Sequence, residues 1–119
     1  MTDDFRTNSD FREFAAAEDV WYIQVMKFAF LIMREDFNDK ADRAEIHGGE
    51  AQIVGVPDIE SAVKNAKRLQ EEGVGCIELC GAFSAEDAEK IVSATGNKIP
   101  ICYTTHLKKQ DEVFAEAFS

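Results

Sequence analysis

Four short apolar segments, Lys27–Met33, Ala51–Val56, Gly75–Cys80 and Ile99–Thr104, constrain this chain more than anything else in it. Each is rich in Ile, Val or Phe and too short for an independent helix, so each reads as a strand. Their centres, Ala29, Ile53, Ile77 and Ile101, are spaced 24 residues apart. Even spacing with room for a helix between strands is the pattern of successive β-α units. Strands joined by such crossovers run parallel. The expected fold is therefore α/β, a parallel sheet of four β-α units in a single domain over residues 26–119, with an N-terminal helix/strand arm over residues 1–25. Two closures stay open. One is an open three-layer sheet; the other is a half-barrel able to pair with a second copy, the chain having about half the length of a typical ~250-residue barrel.

The segments between the strands carry helix signals. Asp58 is placed to cap a helix by accepting from an unsatisfied backbone N–H. Ile59, Ala62, Val63, Ala66 and Leu69 then form one apolar stripe, and Gly73 ends the helix with the left-handed turn a C-terminus often needs. Ser84 with Asp87 predicts a capping box, after which Ala85, Ala88, Ile91 and Val92 face inward and Gly96 closes. A last helix is expected over Leu107–Phe118, burying Val113, Phe114, Ala117 and Phe118. The polar, weakly periodic stretch Phe37–Ile46 is expected to supply the helix of the first unit. In the arm, Asp10 with Glu13 predicts a short helix through Ala17, and Val20–Val25 an extra strand. Such an arm packs Phe11, Phe14, Trp21 and Tyr22 on a neighbouring copy, or covers a sheet edge of its own chain.

Charge narrows the partners. The formal net charge of −10 repels nucleic-acid backbones and anionic membranes, so neither is an expected partner. The longest apolar stretch, Val20–Met33, is broken by Gln24 and Lys27, short of the ~18 apolar residues that span a bilayer. The opening Thr2-Asp3-Asp4 lacks the basic start of a secretory signal. Three cysteines, an odd number in apolar segments, suit reduced thiols better than a disulfide framework, so the expected location is cytoplasmic.

In parallel α/β folds ligands bind beyond the carboxyl ends of the strands. That rim holds Arg34, Cys80, Gly81, Ser84 and Thr104 as candidate ligand-binding residues. Glu78 is the most unusual residue, a carboxylate inside Cys76-Ile77-Glu78-Leu79-Cys80, which otherwise reads as a strand buried on both faces. Alternation puts Ile77 and Leu79 on one face and Cys76, Glu78 and Cys80 on the other. A buried carboxylate must be paired or protonated, which is how a general acid or base becomes useful near neutral pH. Glu78 is accordingly the candidate catalytic group, with His106 and Tyr103 to assist and Arg34 as a further possible partner; the alternative is a structural carboxylate that fixes strand register. Alternation also groups Tyr103 with Ile99 and Ile101, which would set it on the opposite face.

Cys76 and Cys80 lie about 13 Å apart along one strand, too far to share a zinc ion or a disulfide. No metal and no cofactor is expected, and Cys80 at the strand end is the thiol to test for reactivity. The turn Gly81-Ala82-Phe83-Ser84 opens a helix whose N–H groups could receive a small anionic ligand. P-loop, GxGxxG and GxSxG motifs are absent from the sequence.

The strings Ala51-Gln52-Ile53-Val54-Gly55-Val56, Ile77-Glu78-Leu79-Cys80-Gly81 and Lys98-Ile99-Pro100-Ile101 resemble a family of small bacterial α/β proteins of unknown function. In that family a second glycine commonly follows the Ile-Glu-Leu-Cys-Gly string, where this chain has Ala82. The run from Glu72 through Glu78-Leu79 to Phe83-Ser84 is similar to the second-strand segment of the tryptophan synthase α subunit, which implies a general acid/base role for Glu78. The proline that precedes the matching phenylalanine there is absent here, and Asp87 is displaced.

Two functions are expected from these features. The first is a non-catalytic protein, oligomeric or small-ligand-binding, in which Glu78 serves structure. The second is a small barrel-like enzyme, intact or degenerate, in which Glu78 moves a proton on a small polar or anionic metabolite.

Overall fold

The computed structural model describes residues 26–119; the expected arm over residues 1–25 lies outside them. Five strands form one sheet: β1 (Lys27–Met33), β2 (Arg43–Ile46), β3 (Ala51–Val56), β4 (Val74–Leu79) and β5 (Ile101–Tyr103). Three helices accompany them: α1 (Ile59–Glu71), α2 (Ala85–Ala94) and α3 (Asp111–Ala117). The four strands expected from the 24-residue spacing are all present, each within two residues of its expected start.

The strand order is β2-β3-β1-β4-β5, and every pairing is parallel except the antiparallel β2–β3. A half-barrel needs its strands side by side in chain order. Here β1 is central, flanked by β3 and β4, so the sheet is open. The fold is mixed α/β with a mostly parallel sheet, not four regular β-α units.

The departure lies between β1 and β3. In place of the helix expected over Phe37–Ile46 stands the edge strand β2, reached by a turn that Asn38 and Asp42 tie together: the Asn38 Oδ1 accepts the Lys40 N–H at 2.8 Å and Asp42 Oδ2 accepts the Asn38 N–H at 2.7 Å. Side chains of this type compete with helix by bonding nearby backbone. The chain then reverses through His47–Gly49, three residues with φ of 52°, 67° and 94°, a left-handed run that glycine makes accessible. All of β2 is exposed, so it lacks the apolar alternation by which a strand is recognised.

The two main helices form where their caps place them. Asp58 Oδ1 accepts the Ser61 N–H at 2.8 Å at the start of α1, and Gly73 follows its end with φ 98°. Of its stripe, Ala62, Ala66 and Leu69 are buried, with Ile59 and Val63 packed at the margin. Ser84 and Asp87 complete the capping box of α2, each side chain accepting from the other's backbone N–H. Ala88 and Ile91 enter the core and Val92 is half-buried, while Ala85, expected inward, is exposed because it sits at the first turn, outside the contact.

Helices α1 and α2 pack against each other and on one face of the sheet, α1 over β1, β3 and β4 and α2 over β5. The core lies between these layers: Ala29 and Leu31 from β1, Val54 and Val56 from β3, Ile77 and Leu79 from β4, closed by Leu69, Phe83 and Ile91. Among the described residues no helix covers the other face, and those residues form two layers. The last helix also departs from expectation. A short turn at Lys108–Gln110 precedes α3, and Val113, Phe114, Ala117 and Phe118 are all exposed, because α3 adds no residue to the core between the helices and the sheet.

Candidate functional site

Two places gather chemistry. The first is at the carboxyl ends of β4 and β5, where the chain leaves the sheet through Gly81–Ser84 and Thr104–His106. A cavity of about 320 Å³ opens there, lined by Gly81, Phe83, Ser84, Tyr103, Thr104, Thr105, His106 and Phe114. Thr104 is fixed at its mouth: its N–H and its hydroxyl both donate to the Leu79 carbonyl, at 3.0 and 2.7 Å. His106 is held from two sides. Its Nε2 lies 2.7 Å from Asp111 Oδ1, and its ring stacks on Phe114 with centroids 4.3 Å apart and 19° between planes. A carboxylate beside one ring nitrogen fixes the orientation of the imidazole. The exposed α3, which contributes nothing to the core, thus supplies both partners of His106.

Tyr103, Thr104, His106, Gly81 and Ser84 are brought together here, as the rim argument expects. Glu78 and Arg34 are not. Glu78 pairs in register with Phe30 on β1 and Cys102 on β5, whereas Tyr103 pairs with Leu79. Side chains alternate along a strand, so Glu78 and Tyr103 point to opposite faces, and the Glu78–Tyr103–His106 constellation does not assemble. Arg34, beyond the end of β1, pairs with Asp36 (Nε–Oδ1 2.6 Å) and lies 4.6 Å over the Phe37 ring. That hydrogen bond holds the Asp36 carboxyl below its ordinary range and raises the guanidinium further.

Cys80 lies one residue beyond β4, where alternation lapses. It packs at the margin of the core, and its Sγ accepts the Met33 N–H at 3.4 Å. The anion expected at the start of α2 meets competition, since the Ser84 and Asp87 N–H groups are both taken by the capping box. Glu86 and Asp87 in the first turn add negative charge. Among the described residues neither Lys nor Arg lines the cavity, and no hydrogen bond joins Ser84 to His106.

The second place is the uncovered face of the sheet. Phe28 and Phe30 of β1, Ile46 of β2 and Ile53 of β3 stand exposed on it, around an apolar groove of about 220 Å³ that Ala44 and Ala51 floor. Towards the strand ends Phe37 folds over Gly55, whose Cβ, if present, would lie 3.0 Å from the ring. Beside Phe28 and Phe30 lie Cys76, Glu78 and Cys102, whose ligating atoms all fall within 4.8 Å of one another. Cys76 Sγ is 4.0 Å from Glu78 Oε2. Burial, then the neighbouring Cys102 and Glu78, push the Cys76 thiol up to about 11. Cys102 is the member of this cluster that the expectations from sequence did not include. The signal was present in the spacing, because Glu78 and Cys102 are themselves 24 residues apart, the interval that puts strand residues side by side.

A family model described as "Family of unknown function (DUF6506)" matches residues 26–119. No curated protein and no solved structure matches the chain. No helix among the described residues is long and apolar enough to cross a membrane.

Proposed function

The chain belongs to this family of unknown function, whose model covers all the described residues, and from that premise we propose that the protein is a non-catalytic small-ligand-binding protein. The observation that carries the reading is the strand-end cavity, walled by Phe83, Tyr103 and Phe114 and edged by the hydroxyls of Ser84, Thr104 and Thr105. Its volume suits a small metabolite, at the low end of ligand pockets. Apolar rings with a few hydroxyls, and no lysine or arginine, favour a small neutral ligand with a flat apolar part over the anion expected at the helix start. His106, oriented by Asp111, supplies an imidazole contact. The acid/base role that the tryptophan synthase resemblance implies for Glu78 has no support in this cavity, since Glu78 faces away from it.

The test is a fragment screen followed by amide chemical-shift mapping on the full chain. Ligands should move the amides of Gly81–Ser84 and Thr104–His106, and Tyr103→Ala should weaken them about tenfold, roughly 1.4 kcal/mol. Ligands that map elsewhere, or that bind Tyr103→Ala equally well, would remove the cavity from consideration. Stronger binding by carboxylate or phosphate fragments than by neutral ones would restore the anionic ligand.

A second reading, self-association, is favoured by one observation: Phe28, Phe30, Ile46 and Ile53 share one uncovered face. Contiguous exposed apolar side chains mark interaction surfaces, and a patch meeting its own copy across a two-fold axis is self-complementary. Sedimentation equilibrium on wild type and Phe30→Asp decides it; a wild type that stays monomeric at high concentration would end this reading.

A further inference from the structure

We propose that Cys76, Glu78 and Cys102 form a binding site for a thiophilic divalent cation, zinc being the fitting one, on the uncovered face of the sheet. The three side chains converge because β4 and β5 are parallel neighbours with Glu78 opposite Cys102. Alternation then brings Cys76, two residues before Glu78, to the same face. Their ligating atoms lie within 4.8 Å of one another. Zinc bound to thiolates at about 2.3 Å in a tetrahedron holds its sulfurs ~3.8 Å apart. A small inward movement of rotatable side chains therefore closes the triad on a metal.

The donor set selects the ion. Two thiolates and one carboxylate suit zinc, while calcium and magnesium call for all-oxygen shells. Three protein ligands leave the fourth tetrahedral position open to water or to an incoming donor, the pattern of open rather than closed zinc sites. The setting adds to the affinity. Phe28 lies opposite Cys76 and Phe30 opposite Glu78 on β1, so one flank of the triad is apolar, and charge attraction is stronger away from water. Without a cation, the thiols and the carboxylate crowd each other, and Cys76 holds its proton more firmly than a free thiol. With one, each thiol gives up its proton to solvent as its sulfur binds the metal: two protons leave, two Zn–S bonds and one Zn–O bond form, and nothing is oxidised or reduced. Affinity should therefore fall as pH falls. Cys80 is outside the triad, its sulfur engaged with the Met33 N–H.

The experiment uses the full chain, reduced and stripped with chelator, and titrates zinc against a chromophoric competitor, with cobalt as the spectroscopic probe. One zinc per chain should bind, releasing protons, and cobalt should give tetrahedral ligand-field bands with sulfur-to-metal charge transfer. Cys76→Ser and Cys102→Ser should each abolish the charge transfer or halve it and weaken zinc at least about tenfold. Glu78→Gln should weaken zinc while keeping the charge transfer, and Cys80→Ser should change neither. Failure to bind one equivalent, an octahedral cobalt spectrum without charge transfer, or equal binding by Cys76→Ser and Cys102→Ser would each overturn the proposal. So would a Cys76–Cys102 disulfide that persists under mild reduction. Circular dichroism of each variant separates a lost ligand from a lost fold.

Discussion

The two faces of this sheet are built from the same five strands and have opposite fates. On one, Ala29, Leu31, Val54, Val56, Ile77 and Leu79 are sealed beneath α1 and α2. On the other, their strand neighbours Phe28, Phe30, Ile53, Cys76, Glu78 and Cys102 reach the surface or its margin. Both faces are largely apolar, so composition does not explain the difference; coverage does. Among the described residues, α1 and α2 bring their apolar stripes to one side of the sheet, and the first connection, which a regular β-α repeat would make helical, contributes an edge strand instead. The teaching is that the covered face carries stability and leaves little room for chemistry. The uncovered one brings the side chains of Cys76, Glu78 and Cys102 together.

The strongest way to break this comparison is to truncate one residue on each face. Ile77→Ala, fully buried in wild type, should cost about 2–5 kcal/mol. Phe30→Ala, with Phe30 38% exposed, should cost roughly 1 kcal/mol or less. Urea denaturation of both variants checks this. Equal losses would mean that the second face is covered after all. If that loss then grew with protein concentration the cover would be a second copy; if it did not, the cover would be the chain's own residues 1–25.

A smaller effect tests the covering layer itself. Ser84→Ala removes the acceptor for the Asp87 N–H at the start of α2 and should cost about 1 kcal/mol. Ile91 anchors that helix in the core, so hydrogen exchange should quicken in α2 and less so in β1. Uniform quickening would show that the helix and sheet open as one unit, and the distinction between cover and sheet would lose its meaning.

An effect confined to alkaline pH sharpens the chemistry of the open face. Cys76 has its folded-state pKa raised from 9.0 to about 11, so folding favours its protonated thiol. That contribution is present in full below the unfolded value and is lost as pH rises through the folded one. In metal-free reduced protein, stability should therefore decline between about pH 9 and pH 11 with a slope that Cys76→Ala reduces. An unchanged slope in Cys76→Ala would place the alkaline sensitivity elsewhere.

Much of the frame was legible in the residues. The interval of 24 found β1, β3, β4 and β5; Asp58 and Ser84 found the starts of both core helices; and the rim residues Gly81, Ser84, Thr104 and His106 do line one cavity. The misses share a cause. β2 was unreadable because an exposed edge strand needs no apolar alternation, and α3 carries an apolar stripe, Val113, Phe114, Ala117 and Phe118, that the fold leaves on the surface. In each, the pattern of the segment was read as if it reported burial, which depends on what other segments do.

By itself, then, the sequence determined what is local: the positions of β1, β3, β4 and β5 and the starts of α1 and α2, since caps, turns and side-chain period act over a few residues. Only the tertiary structure decided which strand lies beside which, that β1 is central, that no described helix covers one face, and that Glu78 meets Cys76 and Cys102 while parting from Tyr103. Those outcomes depend on contacts between residues far apart in the chain, set by the packing of whole layers, and a 24-residue interval is equally compatible with a curled half-barrel and with the open sheet that forms.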